Sequence, residues 1–403
     1  MQTTKIRCMA NPCQENPMKF SPPAILFAFT LLAAGSPIDL SGQVPAGAPS
    51  LRWSVGPELV RIGDGDDPQE WFEDVAGVVL TPDGSLVIGD LGSDEIRFFD
   101  ATTGRHLKTV GGSGQGPGEI NRIWDLFGSG AELIAVDARG WASRFGLDGT
   151  FLGRTPPVIS AMGRRLNRTG SFDDGTELTY VVESVSDVPP GRTTVWMRVV
   201  AVTGGEPRQI MRYRYGLATR RGSERPRGLV FGPVAALGPQ GDQFCVGFPD
   251  KYLIECFTQA GEPLHQIVRE VWESSGVMQD DREAHFARID ARNTRMSAEA
   301  KRRRRREIEF ADEFASFGRF VAGAASELWV GPLEWSLGGL VRHATPRGET
   351  VWSVYNRDGA LLSDIVLPSG FRLMAAGDNY VAGLSRDDFD VPSVVVYQLN
   401  RSR

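Results

Sequence analysis

From Val78 to Glu119 the chain alternates short apolar runs with the turn strings Pro82-Asp83-Gly84, Thr103-Gly104 and Gly111-Gly112, and the same text recurs downstream. Short apolar or alternating runs bounded by Gly, Asp and Pro are the pattern of half-buried β-strands. Strands joined by connections this short must run antiparallel to their neighbours. A recurrence of about 40–50 residues is the period of propeller blades. The expected fold is therefore all-β: a ring of small four-stranded sheets.

Blade one reads as Val75–Thr81, Ser85–Asp90, Glu95–Asp100 and Arg105–Val110. Blade two reads as Arg122–Phe127, Glu132–Asp137, Ala142–Leu147 and Thr150–Arg154, with Asp90 and Asp137, Phe99 and Phe145, and Gly104 and Gly149 in matching places. Blade three is looser, at Leu166–Phe172, Glu177–Glu183, Thr194–Val202 and Arg208–Tyr213; blade four follows at Pro233–Leu237, Gln243–Phe248, Tyr252–Thr258 and Leu264–Val271. Blade five reads as Phe317–Ala322, Glu327–Gly331, Thr350–Asn356 and Leu361–Leu367. Blade six offers only Phe371–Ala376, Tyr380–Leu384 and Ser393–Leu399, and the run Leu51–Ile62 before blade one would supply its missing outer strand. Six blades closed in this way leave no open radial edge. A two-domain β-sandwich also has many short strands, but nothing in it requires the same strand-turn-strand text in each unit.

Val87-Ile88-Gly89-Asp90, Ile96-Arg97-Phe98-Phe99-Asp100 and Gly104, followed by Val110-Gly111-Gly112-Ser113-Gly114-Gln115-Gly116-Pro117-Gly118-Glu119, resemble the NHL-repeat type of six-bladed propeller common in exported bacterial proteins. The resemblance is strongest over blades one and two. It implies a binding platform for a protein, RNA or glycan, with lyases and lactonases among a few relatives, and so speaks to fold before function.

The N-terminus carries the apolar run Ala24-Ile25-Leu26-Phe27-Ala28-Phe29-Thr30-Leu31-Leu32-Ala33-Ala34, too short to span a bilayer comfortably and followed by small and polar residues. That is the composition of a secretory leader. Residues 1–48 are read as leader and signal peptide, with cleavage within 35–48, and 49–403 as the propeller. Ser36 stands where a lipid-bearing cysteine would be needed, so the expectation is an exported periplasmic or extracellular protein that does not span a membrane. Of the four cysteines, Cys245 and Cys256 remain after the leader and face each other across a predicted hairpin, either as a disulfide, which export permits, or as buried thiols. A net charge of −6 gives no reason to expect a nucleic-acid partner; a monomer is expected.

Asp90 and Asp137 invite a metal reading, but an Asp at a strand end more often binds the backbone of its own turn. The Gly-rich stretch 111–118 has no following Lys-Ser/Thr and opens no predicted helix, so it reads as a crossover and not a phosphate loop.

In a propeller of this topology the first-to-second and third-to-fourth strand turns lie on one face. The second-to-third loops and the blade-to-blade crossovers lie on the other. The first set is tight throughout, whereas Gly63–Asp74, Gly111–Asn121, Ser184–Arg192, Gly216–Phe231, Glu273–Ser316, Pro332–Glu349 and Ser385–Pro392 all fall in the second. Binding residues collect on loops that vary without unfolding the scaffold, so the crossover face is the expected binding face. The insertion 273–316 between blades four and five should form helices over 281–293 and 298–314, capped by Asp280 or Asp281 and by Ser297, with Phe286, Ile289 and Met296 packed inward. It reads either as a lid over the channel mouth or as an inert loop.

Arg122, Arg165, Arg319 and Arg372 stand near the starts of inner strands, where guanidinium groups would suit carboxylate or phosphate. Trp335 and His343 form a mixed aromatic and polar cluster on the blade-five loop. Asp64, Asp66 and Asp67 should meet Asp387, Asp388 and Asp390 in an acidic seam whose oxygen donors would suit calcium, although the spacing is not that of a calcium loop. No cofactor is otherwise indicated and no catalytic set converges: His106, His265, His285 and His343 are scattered, and no Gly-x-Ser-x-Gly or Ser-x-x-Lys occurs. The expected function is non-catalytic binding of a protein, peptide or glycan ligand. The alternative is a metal-dependent lactonase or lyase with a divalent cation held in the channel by Glu73, Asn121 and Asn167.

Overall fold

In the computed structural model the described residues are 43–45, 51–184, 191–220, 226–269, 276–333, 346, 348–387 and 389–402. Two strands precede the repeats, β1 (Gln43–Pro45) and β2 (Arg52–Ile62). Blade one comprises β3 (Val75–Leu80), β4 (Ser85–Asp90), β5 (Glu95–Asp100) and β6 (His106–Gly111). Blade two comprises β7 (Ile123–Ser129), β8 (Glu132–Asp137), β9 (Ala142–Gly146) and β10 (Phe151–Thr155). Blade three comprises β11 (Asn167–Ser171), β12 (Glu177–Val182), β13 (Gly191–Thr203) and β14 (Glu206–Arg220), extended by β15 (Arg227–Gly228). Blade four comprises β16 (Ala236–Gln240), β17 (Gln243–Gly247), β18 (Leu253–Thr258) and β19 (Pro263–Val268). Helices α1 (Gln279–Arg292) and α2 (Ala298–Glu307) follow. Blade five comprises β20 (Arg319–Ala322), β21 (Leu328–Gly331), β22 (Thr350–Tyr355) and β23 (Leu361–Leu367). Blade six comprises β24 (Phe371–Ala376), β25 (Tyr380–Arg386) and β26 (Pro392–Ser402).

The fold is the expected six-bladed β-propeller, and β2 completes blade six in the sheet order β2-β26-β25-β24. Its pairing runs from Arg52 opposite Ser402 to Ile62 opposite Val394. This clasp also holds blade five: Leu51 donates its N–H to Leu362 O at 2.9 Å, and Trp53 donates its N–H to Ser363 Oγ at 3.0 Å. The Trp53 indole is buried, with its ring centroid 6.4 Å from that of Trp329 and the Arg401 guanidinium 4.2 Å above it. One pairing has no counterpart in the sequence reading. β1, which lies inside the 1–48 stretch read as leader, adds in parallel to the outer edge of blade four, with Gln43 opposite Gln266.

Apolar side chains alternate to both faces of each blade and meet those of the neighbours. Buried clusters join blades one and two (Ile96, Phe98, Ile123, Leu133), three and four (Phe172, Met197, Phe244, Val246), and four and five (Cys245, Ile254, Leu328, Tyr355). Others join five and six (Trp329, Trp352, Phe371, Val395), and six and one (Ile62, Leu86, Ile88, Val394). The joint between blades two and three differs. Its apolar cluster, Ile134, Val136 and Ala142 with Phe127, comes from blade two alone. Arg168–Glu177 and Arg144–Glu132 ion pairs, at 2.7 and 2.5 Å, lie along that joint.

Where strand bounds depart from expectation, the causes are local. β16 starts later than Pro233 and runs through Gly238 and Pro239, a pair that looks like a turn; as an inner strand with one unpaired edge it tolerates a proline. β13 and β14 overrun their expected ends to 13 and 15 residues, because β15 pairs with the overhang and Arg192 on it binds Glu309 and Asp312 at 2.6 and 2.9 Å. α2 stops at Glu307 and not at 314: the chain turns extended and exchanges backbone bonds with Val230, burying Phe310 against Phe231, Val277 and Phe286. Ser297 caps α2 as expected, but neither Asp280 nor Asp281 is the N-cap of α1: the helix starts at Gln279 after Met278, and Asp281 sits in its first turn, accepting the N–H of Met278. Phe286 and Ile289 are buried, whereas Met296 stays only half-buried. Cys245 and Cys256 stand opposite each other in β17 and β18 and form a disulfide, which decides between the two readings of that pair.

The strand-end aspartates are structural. Buried Asp90 accepts the N–H groups of Glu73, Asp74 and Ser93, and buried Asp137 accepts those of Arg139 and Trp141 and pairs with Arg154 at 2.7 Å. The tight-turn aspartates do the same work on the opposite face. Asp100 and Asp148 lie below the usual carboxylate range because the N–H groups of Thr103 and Thr150, respectively, donate to them.

Two outcomes follow from this architecture. Trp53→Ala should cost about 3–5 kcal/mol, the usual loss for a buried tryptophan, read as a lower urea midpoint with unchanged slope. A depressed carboxylate contributes stability above its unfolded value of about 3.9 and loses it as pH falls through the lower folded value. Asp100→Asn with Asp148→Asn should therefore lower the thermal midpoint at pH 7, with the deficit shrinking toward zero as the pH is taken below 3.9.

Candidate functional site

A cleft of about 690 Å³ opens on the crossover face between blades two and three, at the joint that lacks a shared apolar cluster. Its walls are the start of β7 (Arg122, Trp124, Asp125), the end of β8 (Val136, Asp137, Ala138), the connection into β11 (Arg164, Arg165) and the end of β12 (Tyr180) with Tyr215 of β14.

Each wall has a local cause. Arg122 sits in the left-handed region at φ 60°, held there by its neighbours: Asp94, itself at φ 59°, accepts the Ile123 N–H at 2.7 Å, and Arg122 O accepts from Ala138 at 2.9 Å. Such a conformation costs an ordinary side chain roughly 1–2 kcal/mol, so the surrounding bonds set where this guanidinium projects. Arg164 and Arg165 ride on a small hairpin in which Ile159 pairs with Arg165 and Gly163 turns at φ 68°. Arg164 donates to Val182 O at 2.5 Å, and Arg165 donates to Ala138 O at 2.9 Å, so the hairpin bridges blades two and three. Tyr180 and Tyr215 stack with centroids 5.7 Å apart and planes 29° from parallel, and burial raises the Tyr215 hydroxyl above its ordinary range, keeping it a donor. Trp124 is 42% exposed beside them.

Of the site residues expected from sequence, Arg122 and Arg165 are thus brought together. Asn167 lines the same cleft and donates to Tyr180 O at 3.3 Å. Arg319 and Arg372 instead line an axial cavity of about 730 Å³, walled by inner strands of all six blades and by the tight-turn residues Pro82, Ala324 and Asp378. Asp125 lines both spaces. Trp335 and His343 lie outside the described residues. The acidic seam forms in part: Asp64 and Asp387 line one cleft, but Arg61 and Arg386 line it with them. Asp67 caps Gln69, Asp387 accepts from Phe389 and Val391, and Arg386 binds Asp74 at 2.7 Å and Asp390 at 3.5 Å. Asp66 is exposed, and Asp388 lies outside the described residues.

No group of three or more His, Cys, Asp or Glu side chains comes together as a metal-holding set among the described residues. Glu73 packs over Gly92 in blade one, and neither it nor Asn121 lines the cleft or the axial cavity. The helical insertion lines neither space; it buttresses the overhang of β13 and β14 through Arg192. Sequence reasoning missed Arg164, Trp124, Tyr180 and Tyr215. The adjacent Arg164-Arg165 after Gly163 was a legible signal, whereas the tyrosine stack joins strands far apart in sequence.

No protein-family model and no curated protein matches the sequence. Among solved structures the chain is similar to a member of the DUF4221 family from Bacteroides vulgatus, at 10% identity and TM-score 0.52, over 87% of this chain and 99% of that one. Weaker likenesses are a protein of Bacteroides fragilis provisionally described as exported (12% identity, TM-score 0.45, 90% of this chain and 99% of that one) and virginiamycin B lyase from Staphylococcus aureus (10% identity, TM-score 0.40, 87% and 99%). At these identities only the fold carries across, and it does so through the first of them. No helix among the described residues is long and apolar enough to cross a membrane.

Arg122→Gly removes the guanidinium and the left-handed strain together. It should leave stability unchanged or raise it by about 1 kcal/mol, whereas Asp94→Ala, which orphans the buried Ile123 N–H, should cost about 1–3 kcal/mol; urea unfolding of both variants reads the contrast.

Proposed function

We propose that this chain is an exported, non-catalytic binding platform that takes its ligand, a protein, peptide or glycan, on the crossover face. The observation that carries the reading is the cleft at the joint of blades two and three. It lies on the face that also bears the helical insertion, and the joint beneath it is the one whose apolar cluster is drawn from a single blade, whereas the clusters at the other five draw on both. Departures from good packing that a fold tolerates tend to mark function. NHL-type text in blades one and two is in keeping with such a platform. Export rests on the leader composition of residues 1–48 and is in keeping with the disulfide in blade four. Because β1 belongs to a sheet, the mature N-terminus is expected at or before Gln43, readable by mass spectrometry of the exported protein.

A photoreactive residue at Arg139, exposed in the crossover-face loop of blade two, should yield a ligand adduct from the exported fraction of the source organism. The same group at Thr103, exposed in a tight turn on the opposite face, should yield none. Adducts from Thr103 alone would overturn the assignment of the face. Stoichiometric calcium or zinc that survives dialysis would replace the platform with the metal-dependent alternative.

A further inference from the structure

Many arginines on this molecule are tied to carboxylates: Arg198 and Arg212 to Glu183, Arg269 to Asp364, Arg357 to Asp242, Arg401 to Glu327. Arg122, Arg164 and Arg165 are different. They are exposed, they line a single cleft, and none has a carboxylate within ion-pair distance among the described residues. Two aspartates line the cleft, Asp125, which it shares with the axial cavity, and Asp137, which is spent on Arg154 and two backbone N–H groups. The lining also carries Arg168, neutralised by Glu177 at 2.7 Å. The cleft lining thus sets four arginines against two aspartates, an excess of positive charge. A concave site concentrates such a field and draws in anions.

The remaining lining chooses among anions. The Tyr180–Tyr215 stack and the exposed Trp124 bring aromatic rings to the same cleft as the guanidinium groups. Flat aromatic faces accept the C–H faces of a sugar ring, and their polar edges suit a ligand that stays partly wet. A guanidinium binds a planar carboxylate through two parallel N–H···O bonds, a geometry that a point charge does not offer. A volume near 690 Å³ falls within the range of small-ligand sites, about 300–1,000 Å³. An acidic peptide would satisfy the arginines and leave the ring faces without a matching partner.

We infer that the blade two–three cleft binds a uronate-bearing glycan, with Arg122, Arg164 and Arg165 on its carboxylates and Trp124 against a sugar ring. This rests on the platform reading and names the ligand class for its site. The cleft does not depend on the basic helix α2, whose run Lys301–Arg306 is the other cationic surface and is partly neutralised by Glu283, Asp290 and Glu307.

The test is affinity electrophoresis of the full mature chain through gels holding polygalacturonate, poly-glutamate of the same charge per length, or neutral dextran. Polygalacturonate should retard the protein with an apparent Kd at least tenfold below that for poly-glutamate, and dextran should not retard it. Arg122→Gly, expected to keep the fold's stability, and Trp124→Ala should each weaken polygalacturonate binding at least tenfold. The triple change Arg302→Gln, Arg303→Gln, Arg304→Gln should leave it unchanged. Equal retardation by poly-glutamate would make the site a peptide or general polyanion site, and loss of binding in the triple variant would move it to α2; either result overturns the inference. So would no retardation in polygalacturonate. If the Arg139 photoadduct persists in any of these cases, the platform stands and only the ligand class falls; if the adduct is also absent, both fall.

Discussion

Burial of apolar side chains between the faces of neighbouring blades is the interaction on which the rest of this structure depends. A four-stranded blade has too little interior to hold itself, and each stands only because its two faces are covered by the next. Residues such as Phe98, Phe244, Trp329 and Trp352 are fully buried in these joints. A ring built this way has one weak point, where the chain's two ends meet. The protein deals with it by running β2 alongside β26 and by burying Trp53 under Arg401, beside blade five.

Given that dependence, the joint between blades two and three is the informative exception. Its apolar cluster is drawn from blade two, with Val181, Val200 and Val202 of blade three buried outside any shared cluster, ion pairs run along it, and cavities sit at both of its ends: the cleft on the crossover face and a space of about 850 Å³ lined by Arg144, Glu132, Arg168 and Glu177. At the crossover end of that joint, polar and charged side chains line a space that a ligand can reach. The backbone is fixed there as well. Asp94 and Arg122 both adopt left-handed conformations, and the buried bond from the Ile123 N–H to the Asp94 carboxylate ties them together, which fixes one edge of the cleft at some energetic cost.

Electrostatics points the same way once partners are counted. The carboxylates that look most like metal ligands, Asp90 and Asp137, are consumed by backbone N–H groups and arginine. The acidic seam is interleaved with Arg61 and Arg386. The insertion's basic helix binds its own neighbour helix through Arg305 to Glu283 and Asp290. An excess of arginine over aspartate gathers instead at the joint whose apolar cluster comes from one blade, so the two arguments, one from apolar contacts and one from charge, meet at the same cleft.

Sequence by itself determined the blades, their strand order, the closing strand and the face on which long connections gather. These are local or periodic properties, set by alternation and by turn residues such as Gly104 and Gly149, and they survive without knowledge of what packs on what. It also brought Arg122 and Arg165 to notice by their places at strand starts. Tertiary structure alone decided that the apolar cluster at the blade two–three joint comes from one blade, that Tyr180 stacks on Tyr215, that Arg319 and Arg372 belong to the axial cavity, and that β13 and β14 outrun their blade. Each of these depends on which side chain of one blade meets which of the next, a matter of pleat, register and bulge that shifts with a single residue, and no period in the chain encodes it.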